Sequence, residues 1–175
     1  MQSEGIFSPG LHWRIVDRRE FKSLVGEQRK QLFSVGQRFE TPQLRRLRDP
    51  LSSEEIIVLE KAGEPAAWTW SREESAGTIQ MVESAVLPDF QGQGLYQMLQ
   101  NLVLERARNK GLTEVMAQIR ADHNDMLIPK LKAGFIITGM QISPRFGTML
   151  QLSYPLREEI RQQIAIRTGR RRPNQ

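Results

Sequence analysis

The sequence contains no cysteine and only two histidines, His12 and His123. That excludes a disulfide framework, a thiolate nucleophile and any zinc site built on cysteine, and it leaves little for a structural metal. No apolar run approaches the roughly 18 residues that a membrane span requires. The longest uncharged run, residues 90–104, carries five glutamines and asparagines among its apolar residues. The first ten residues lack a basic segment followed by an apolar one, so no secretory signal is read there. The expectation is a cytoplasmic protein that does not engage a membrane. No internal repeat, low-complexity tract or Gly/Ser linker divides the chain.

What is present suits one ordinary globular domain: 175 residues, 39% hydrophobic and 26% charged, enough to bury a sizeable core. The formal charge of +5 is misleading as a whole-molecule property. Four of those positive charges sit on Arg167, Arg170, Arg171 and Arg172, in a tail without an acid, and the body is nearly neutral. Such a tail is either a solvated end or an anion-seeking one. The body lacks a basic stripe with interleaved aromatics, which ranks nucleic acid last among partners.

Hydrophobic periodicity and turn residues place the elements. Residues 12–17 read as a strand and 19–36 as a helix. Thr41-Pro42 opens a second short helix that must end by Asp49-Pro50. Strands follow at 55–59, 66–71 and 79–87, the last stopped by Pro88. The clearest helix runs from Leu95 to Lys110, with Leu95, Leu99, Leu102, Val103 and Ala107 on one face and Gly111 beyond its end. A strand at 114–119, a short helix at 124–133, strands at 135–142 and 146–153, and a final helix at 156–168 complete the chain. The order predicts an α/β (α+β) single domain built on one mixed sheet. The apolar stripe of the final helix fits packing on its own sheet or across a homodimer equally well.

The chemistry concentrates in Val86-Leu87-Pro88-Asp89-Phe90-Gln91-Gly92-Gln93-Gly94-Leu95-Tyr96. A strand ends, a glycine-bearing turn follows, and an amphipathic helix starts at once. No Ser, Thr, Asp or Asn stands next to the first helical turn, so its N–H groups and positive dipole end are left for an anion, a phosphate or pyrophosphate. The dinucleotide fingerprint fails because position 97 is Gln, and no Gly-Lys-Ser/Thr is present for a Walker loop.

The segment resembles motif A of the GNAT superfamily of acyl-CoA-dependent N-acetyltransferases: a Val-x-Pro strand end, then Gln/Arg-x-x-Gly-x-Gly/Ala. Tyr96 stands where the last Gly/Ala is usual. Asn124 followed by Lys130-Leu131-Lys132-Ala133-Gly134-Phe135 is similar to the end of the family's motif B. The resemblance implies a mostly antiparallel sheet of six to seven strands flanked by helices. Residues 12–156 would form the N-acetyltransferase domain, with 1–11 as an N-terminal extension and 157–175 as a C-terminal helix and basic tail. It implies acetyl-CoA as co-substrate and an amine as acceptor, with no metal. The pyrophosphate would lie on the backbone of Gly92, Gln93, Gly94, Leu95 and Tyr96, preceded by Gln91. Pantetheine would run along Val86 and Leu87, one of whose N–H groups would hold the oxyanion, and Asn124 would meet the pantetheine arm.

The family's usual general acid is a tyrosine in motif B. That position is Lys130 here, and the spacing to Asn124 is one residue short. A thiol with a reference pKa near 8.5 leaves without full protonation, so the loss slows turnover rather than forbidding it. For the general base, Glu83 is the first candidate and His123 the second. The competing readings are a strand carboxylate paired with an arginine, and a loop imidazole bonded to a neighbouring acid. Trp68 and Trp70 read as core or as pocket lining. Lys130 and Lys132 read as contacts to the coenzyme 3′-phosphate or as solvent-facing residues, and Arg106 and Arg108 as the polar side of the motif helix. A degenerate domain that binds acyl-CoA without turnover is the alternative function, and a nucleic-acid role of the arginine tail the remoter one.

Overall fold

The computed structural model describes residues 2–33 and 53–167. The short helix expected after Thr41 and the arginines at 170–172 lie outside the described residues. Strand β1 (Glu4–Ser8) and strand β2 (Leu11–Val16) lead into helix α1 (Arg18–Leu32). Strands β3 (Glu54–Lys61), β4 (Glu64–Ser75) and β5 (Thr78–Val86) follow. A single 3-10 turn, Pro88–Phe90, then precedes helix α2 (Leu95–Asn109). Strand β6 (Glu114–Arg120), helix α3 (Asn124–Lys132), strands β7 (Ile136–Ser143) and β8 (Gly147–Pro155), and helix α4 (Glu158–Arg167) complete the order.

The strands form one eight-stranded sheet in the order β1-β2-β3-β4-β5-β6-β8-β7. Every pairing is antiparallel except β5 with β6, whose connection is the α2 crossover. The sheet has one strand more than the sequence pattern suggested, because Glu4–Ser8 pairs against β2 at its edge. Its two apolar residues, Ile6 and Phe7, are adjacent rather than alternating, so no periodicity betrayed it.

Alternation along the central strands feeds two cores. Ile57, Leu59, Ala67, Ile79, Met81, Val115, Ala117 and Leu152 meet Leu95, Leu99, Leu102 and Val103 of α2 on one face. Val16, Ile56, Val58, Trp68 and Ala85 meet Phe21 and Val25 of α1 on the other. Helix α1 starts where the Asp17 carboxylate accepts from the Glu20 N–H at 2.8 Å, a side-chain cap. Of the expected polar side of α2, Arg108 is exposed but Arg106 is buried, at 6% exposure. Arg106 donates to both oxygens of Glu55 at 2.6 and 2.8 Å and to the Gln2 carbonyl at 2.6 Å. A partner brought from β3 turned a residue with a surface pattern into a core one.

Candidate functional site

The site begins with a fault in the sheet. Strand β5 pairs with β6 only from Thr78 to Met81, opposite Glu114 to Ala117. Beyond Met81 each strand follows its other neighbour: β5 stays on β4 up to Val86, and β6 stays on β8 up to Arg120. Between them opens a slot whose apex lies at Met81 and whose mouth lies at the two parallel C-terminal ends.

A β-bulge accompanies the split. Trp70 opposes Glu83 and Ser71 opposes Met81, which leaves Val82 without a partner on β4. The bulge also inverts the side-chain alternation. Ile79 and Met81 face α2, whereas Ala85, of the same parity, packs in the α1 core. It fixes the backbone direction as well. Leu87 donates its N–H to the Ala66 carbonyl at 2.9 Å, and opposed residues in an antiparallel ladder alternate between bonded and unbonded pairs. Val86, opposite Ala67, and Ser84, opposite Thr69, therefore turn their N–H and C=O groups into the slot. This corrects the expectation for Leu87, whose N–H is already spent on β4. It adds Ser84, whose exposure to the slot follows only from the register.

The mouth is closed by the glycine loop. Gly92 and Gly94 have φ of +73° and +76°, a left-handed backbone that L side chains rarely adopt, and a Cβ built on either meets nothing within 4 Å. Gly94 caps α2 without a side-chain hydrogen bond, and no acid stands in the first turn. Among the described residues, the N–H groups of Gly92 to Gln97 have no acceptor. Gln91 donates to the Val86 carbonyl at 3.3 Å and Gln93 to the Asp89 carbonyl at 3.3 Å, tying the loop to the strand that precedes it. The row of unspent donors at the positive end of a helix fits a pyrophosphate, and the open edge of β5 fits the amides of a pantetheine arm.

Sequence reading missed Lys61. The last residue of β3 donates through Nζ to Gln93 and sets a cation beside the loop. No motif marks it, because its place follows from the hairpin that brings Lys61 to the same sheet end as Val86. If the phosphate of an acyl-CoA lies on this loop, Lys61→Ala raises the KM for that coenzyme about three- to tenfold with kcat unchanged, the loss of one exposed charge contact. Steady-state kinetics reads it.

Glu83 is not a free base. It points to the α1 face, away from the glycine loop, with 11% side-chain exposure. Arg29 donates to it at 2.6, 2.7 and 3.0 Å, and the Trp68 indole N–H adds a bond at 3.0 Å. Of the two readings of this residue, a strand carboxylate held by an arginine describes the contacts. Trp68, fully buried, is core. Trp70 is half-buried and donates to Glu54 at 3.2 Å.

His123 and Asn124 are exposed where β6 gives way to α3, so both stand at the slot's mouth. The neighbouring Asp122 carboxylate is engaged by Arg120 at 2.6 and 2.9 Å rather than by the imidazole. Among the described residues no group of His, Asp and Glu could hold a metal ion. Lys132 is exposed, but Lys130 contradicts both readings given for it. It is 2% exposed, with Nζ at 3.1 Å from the Met81 Sδ, at the apex of the slot and not at its phosphate end.

The uncapped glycine loop and helix are what motif A implies, and the strand split and bulge beside them are what the structure adds. The sequence profile of the acetyltransferase (GNAT) family matches residues 21–135. This chain belongs to the GNAT acetyltransferase family. It is an acyltransferase with the GNAT fold.

Solved structures agree on that fold. Ard1 from Thermoplasma volcanium superposes with a TM-score of 0.66 at 17% identity, over 85% of this chain and 99% of that one. The ribosomal-protein-S18-alanine N-acetyltransferase from Escherichia coli gives 0.64 at 13% identity, over 83% and 94%. The spermidine N-acetyltransferase from Vibrio cholerae, solved in complex with CoA and spermine, gives 0.63 at 14% identity, over 85% and 97%. At these identities the likeness carries the GNAT fold and not the acceptor. Compared by sequence with curated proteins, the chain has no match.

Proposed function

We propose that the protein transfers the acetyl group of acetyl-CoA to a primary amine by direct attack of the amine on the thioester. The observation that carries this reading is the slot between β5 and β6, with free strand edge on one side and six unspent helix and loop N–H groups at its mouth. The pyrophosphate rests on the backbone of Gly92 to Gln97, with Lys61 alongside. The pantetheine amides pair with Val86, and Asn124 borders the arm at the mouth.

The Ser84 N–H, one pair deeper than Val86, stabilises the oxyanion that forms as the amine nitrogen bonds to the carbonyl carbon. A neutral amine is the nucleophile, and its surplus proton passes to water. Glu83 acts as a strut: with Arg29 and Trp68 it fixes the α1 side of β5 at the bulge.

A panel of amines tests the activity, with lysine peptides, peptide N-termini and polyamines offered with acetyl-CoA and free thiol followed over time. Amine-dependent thiol release with matching acetylated product supports the reading. Acetyl-CoA binding without release on any amine would leave the non-catalytic acyl-CoA-binding alternative. Glu83→Gln separates strut from base. It is expected to lower stability by about 1–3 kcal/mol, by weakening bonds to charged groups, and to change kcat/KM less than about fivefold. A catalytic base would cost on the order of a hundredfold or more.

A further inference from the structure

The two positions at which the chain departs from the family pattern lie against one another. Lys130 Nζ sits 5.7 Å from the centre of the Tyr96 ring and 4.3 Å from that of Phe135, with the Met81 thioether as its hydrogen-bond acceptor. Among the described residues no carboxylate reaches this ammonium. The surrounding polar atoms are unspent as well. The Tyr96 hydroxyl and both polar atoms of the Gln100 side chain, one helical turn on, are buried without a hydrogen-bond partner. A protein interior does not leave three unpartnered polar atoms beside an ammonium held only by a thioether at no cost. Lys130 Nζ, with the Tyr96 ring beside it, borders Met81, the last residue before the slot opens, and a pantetheine arm entering from the mouth would bring its sulfur toward that end.

We infer that Lys130 is the proton donor to the coenzyme A thiolate, in a pocket completed by Tyr96 and Gln100. The inference rests on the acetyl-transfer reading and gives the motif B position a donor where tyrosine is missing. As the amine nitrogen bonds to the carbonyl carbon, the carbon–sulfur bond breaks and sulfur keeps the electron pair. A proton on Nζ passes to that sulfur, and the neutral amine regains a proton from water when coenzyme A departs.

Nζ already donates to a sulfur at this spot, a weak thioether acceptor that a thiolate outcompetes. Burial pushes the Lys130 ammonium down to about 7, below the reference thiol near 8.5, so the transfer runs downhill and discharges two buried charges at once. Of the described groups facing Nζ, only the Tyr96 phenol titrates. Burial raises it, which keeps it neutral throughout. Met81 and Phe135 do not titrate.

The test uses the full chain with acetyl-CoA and hydroxylamine, an amine mostly neutral from about pH 7 upward, where the limb falls, beside the amines of the panel. Lys130→Met is expected to lower kcat about ten- to a hundredfold, toward the low end for a general acid because thiols leave readily. It should keep acetyl-CoA affinity within about threefold by calorimetry, and it should melt higher than wild type, since it removes an unpaired buried cation. A residue that merely packs would give the opposite pairing of unchanged rate and lost stability.

With hydroxylamine, wild-type kcat falls as the pH rises through about 7, as a donor that must be protonated requires. Lys130→Arg, which keeps its proton, loses that limb. Lys130→Tyr recovers most of the rate and moves the limb upward. Equal rates in wild type and Lys130→Met overturn the inference while leaving acetyl transfer intact. So does an acetyl group found on Lys130 that forms and decays at the rate of turnover, which would make it a nucleophile. Absence of thiol release from wild type with every amine overturns the acetyl-transfer reading itself.

Discussion

Gly94→Asp is expected to abolish acetyl-CoA binding, at least a hundredfold in Kd, in a protein that still folds. The residue holds φ at +76° and caps α2. Aspartate there pays on the order of 1 kcal/mol for the left-handed backbone and sets a carboxylate at the helix end where a pyrophosphate would lie. A hundredfold corresponds to about 2.7 kcal/mol, which the two effects exceed together. Folding survives because a Cβ at this position meets no atom within 4 Å. Gly94→Asn separates charge from backbone, since asparagine has nearly the same shape and tolerates the left-handed region. It should bind within about tenfold of wild type. Calorimetric titration of the three proteins decides between an anion cradle and a merely structural turn. Equal loss in both variants would point to the turn.

Arg106→Ala is expected to be the most destabilising single change outside the apolar core, by about 3–5 kcal/mol. It strands the Glu55 carboxylate, of 11% side-chain exposure, with Lys110 at 3.1 Å as its remaining cation. It also frees the Gln2 carbonyl and uncovers Trp13, over whose ring the guanidinium lies at 5.4 Å.

The pH dependence has a definite sign. Burial alone would raise the Glu55 carboxyl, but the hydrogen bonds from Arg106 and Lys110 outweigh it and hold the group below its ordinary value. The stability this contributes is present above the ordinary carboxylate range and is lost as the pH falls through the depressed folded value. The gap between wild type and Arg106→Ala, read by thermal melting, should therefore be widest near neutrality and narrow in acid. Arg106→Met combined with Glu55→Leu should recover much of the loss, because removing both charges leaves neither stranded.

The sequence carried more of the fold than of the catalytic centre, for a physical reason. Periodicity reports what a single element does with its own faces. Leu95, Leu99, Leu102 and Val103 announced α2, the alternation of Val115, Ala117 and Ile119 announced β6, and the glycine loop announced the uncapped start of α2. None of the residues that surprised is local in this sense. Arg106 is buried because Glu55 crosses from β3 to meet it. Lys61 reaches the loop because the β3–β4 hairpin ends at the same sheet edge. Lys130 is buried because α3 lays it on Met81. Strand β1 is ordered by the partner it pairs with and not by its own pattern.

The bulge at Val82 is the clearest instance. Nothing in Met81-Val82-Glu83 signals it, yet it turns Glu83 to α1 and presents Ser84 and Val86 to the slot. A one-residue slip of a strand is invisible in composition and decisive for which groups reach a substrate.

The slot itself is the central claim, and amide hydrogen exchange with and without acetyl-CoA addresses it most directly. The Ser84 and Val86 amides point away from β4 and lack a partner on β6, so acetyl-CoA should slow their exchange strongly. The Leu87 amide, already bonded to Ala66 at 2.9 Å, is the internal control and should change little. Protection at Ser84 and Val86, together with Gly94 and Tyr96 in the loop and helix start, is the predicted result. Binding that protects the loop but leaves Ser84 and Val86 unchanged would contradict the account, because the coenzyme would then sit outside the split in the sheet.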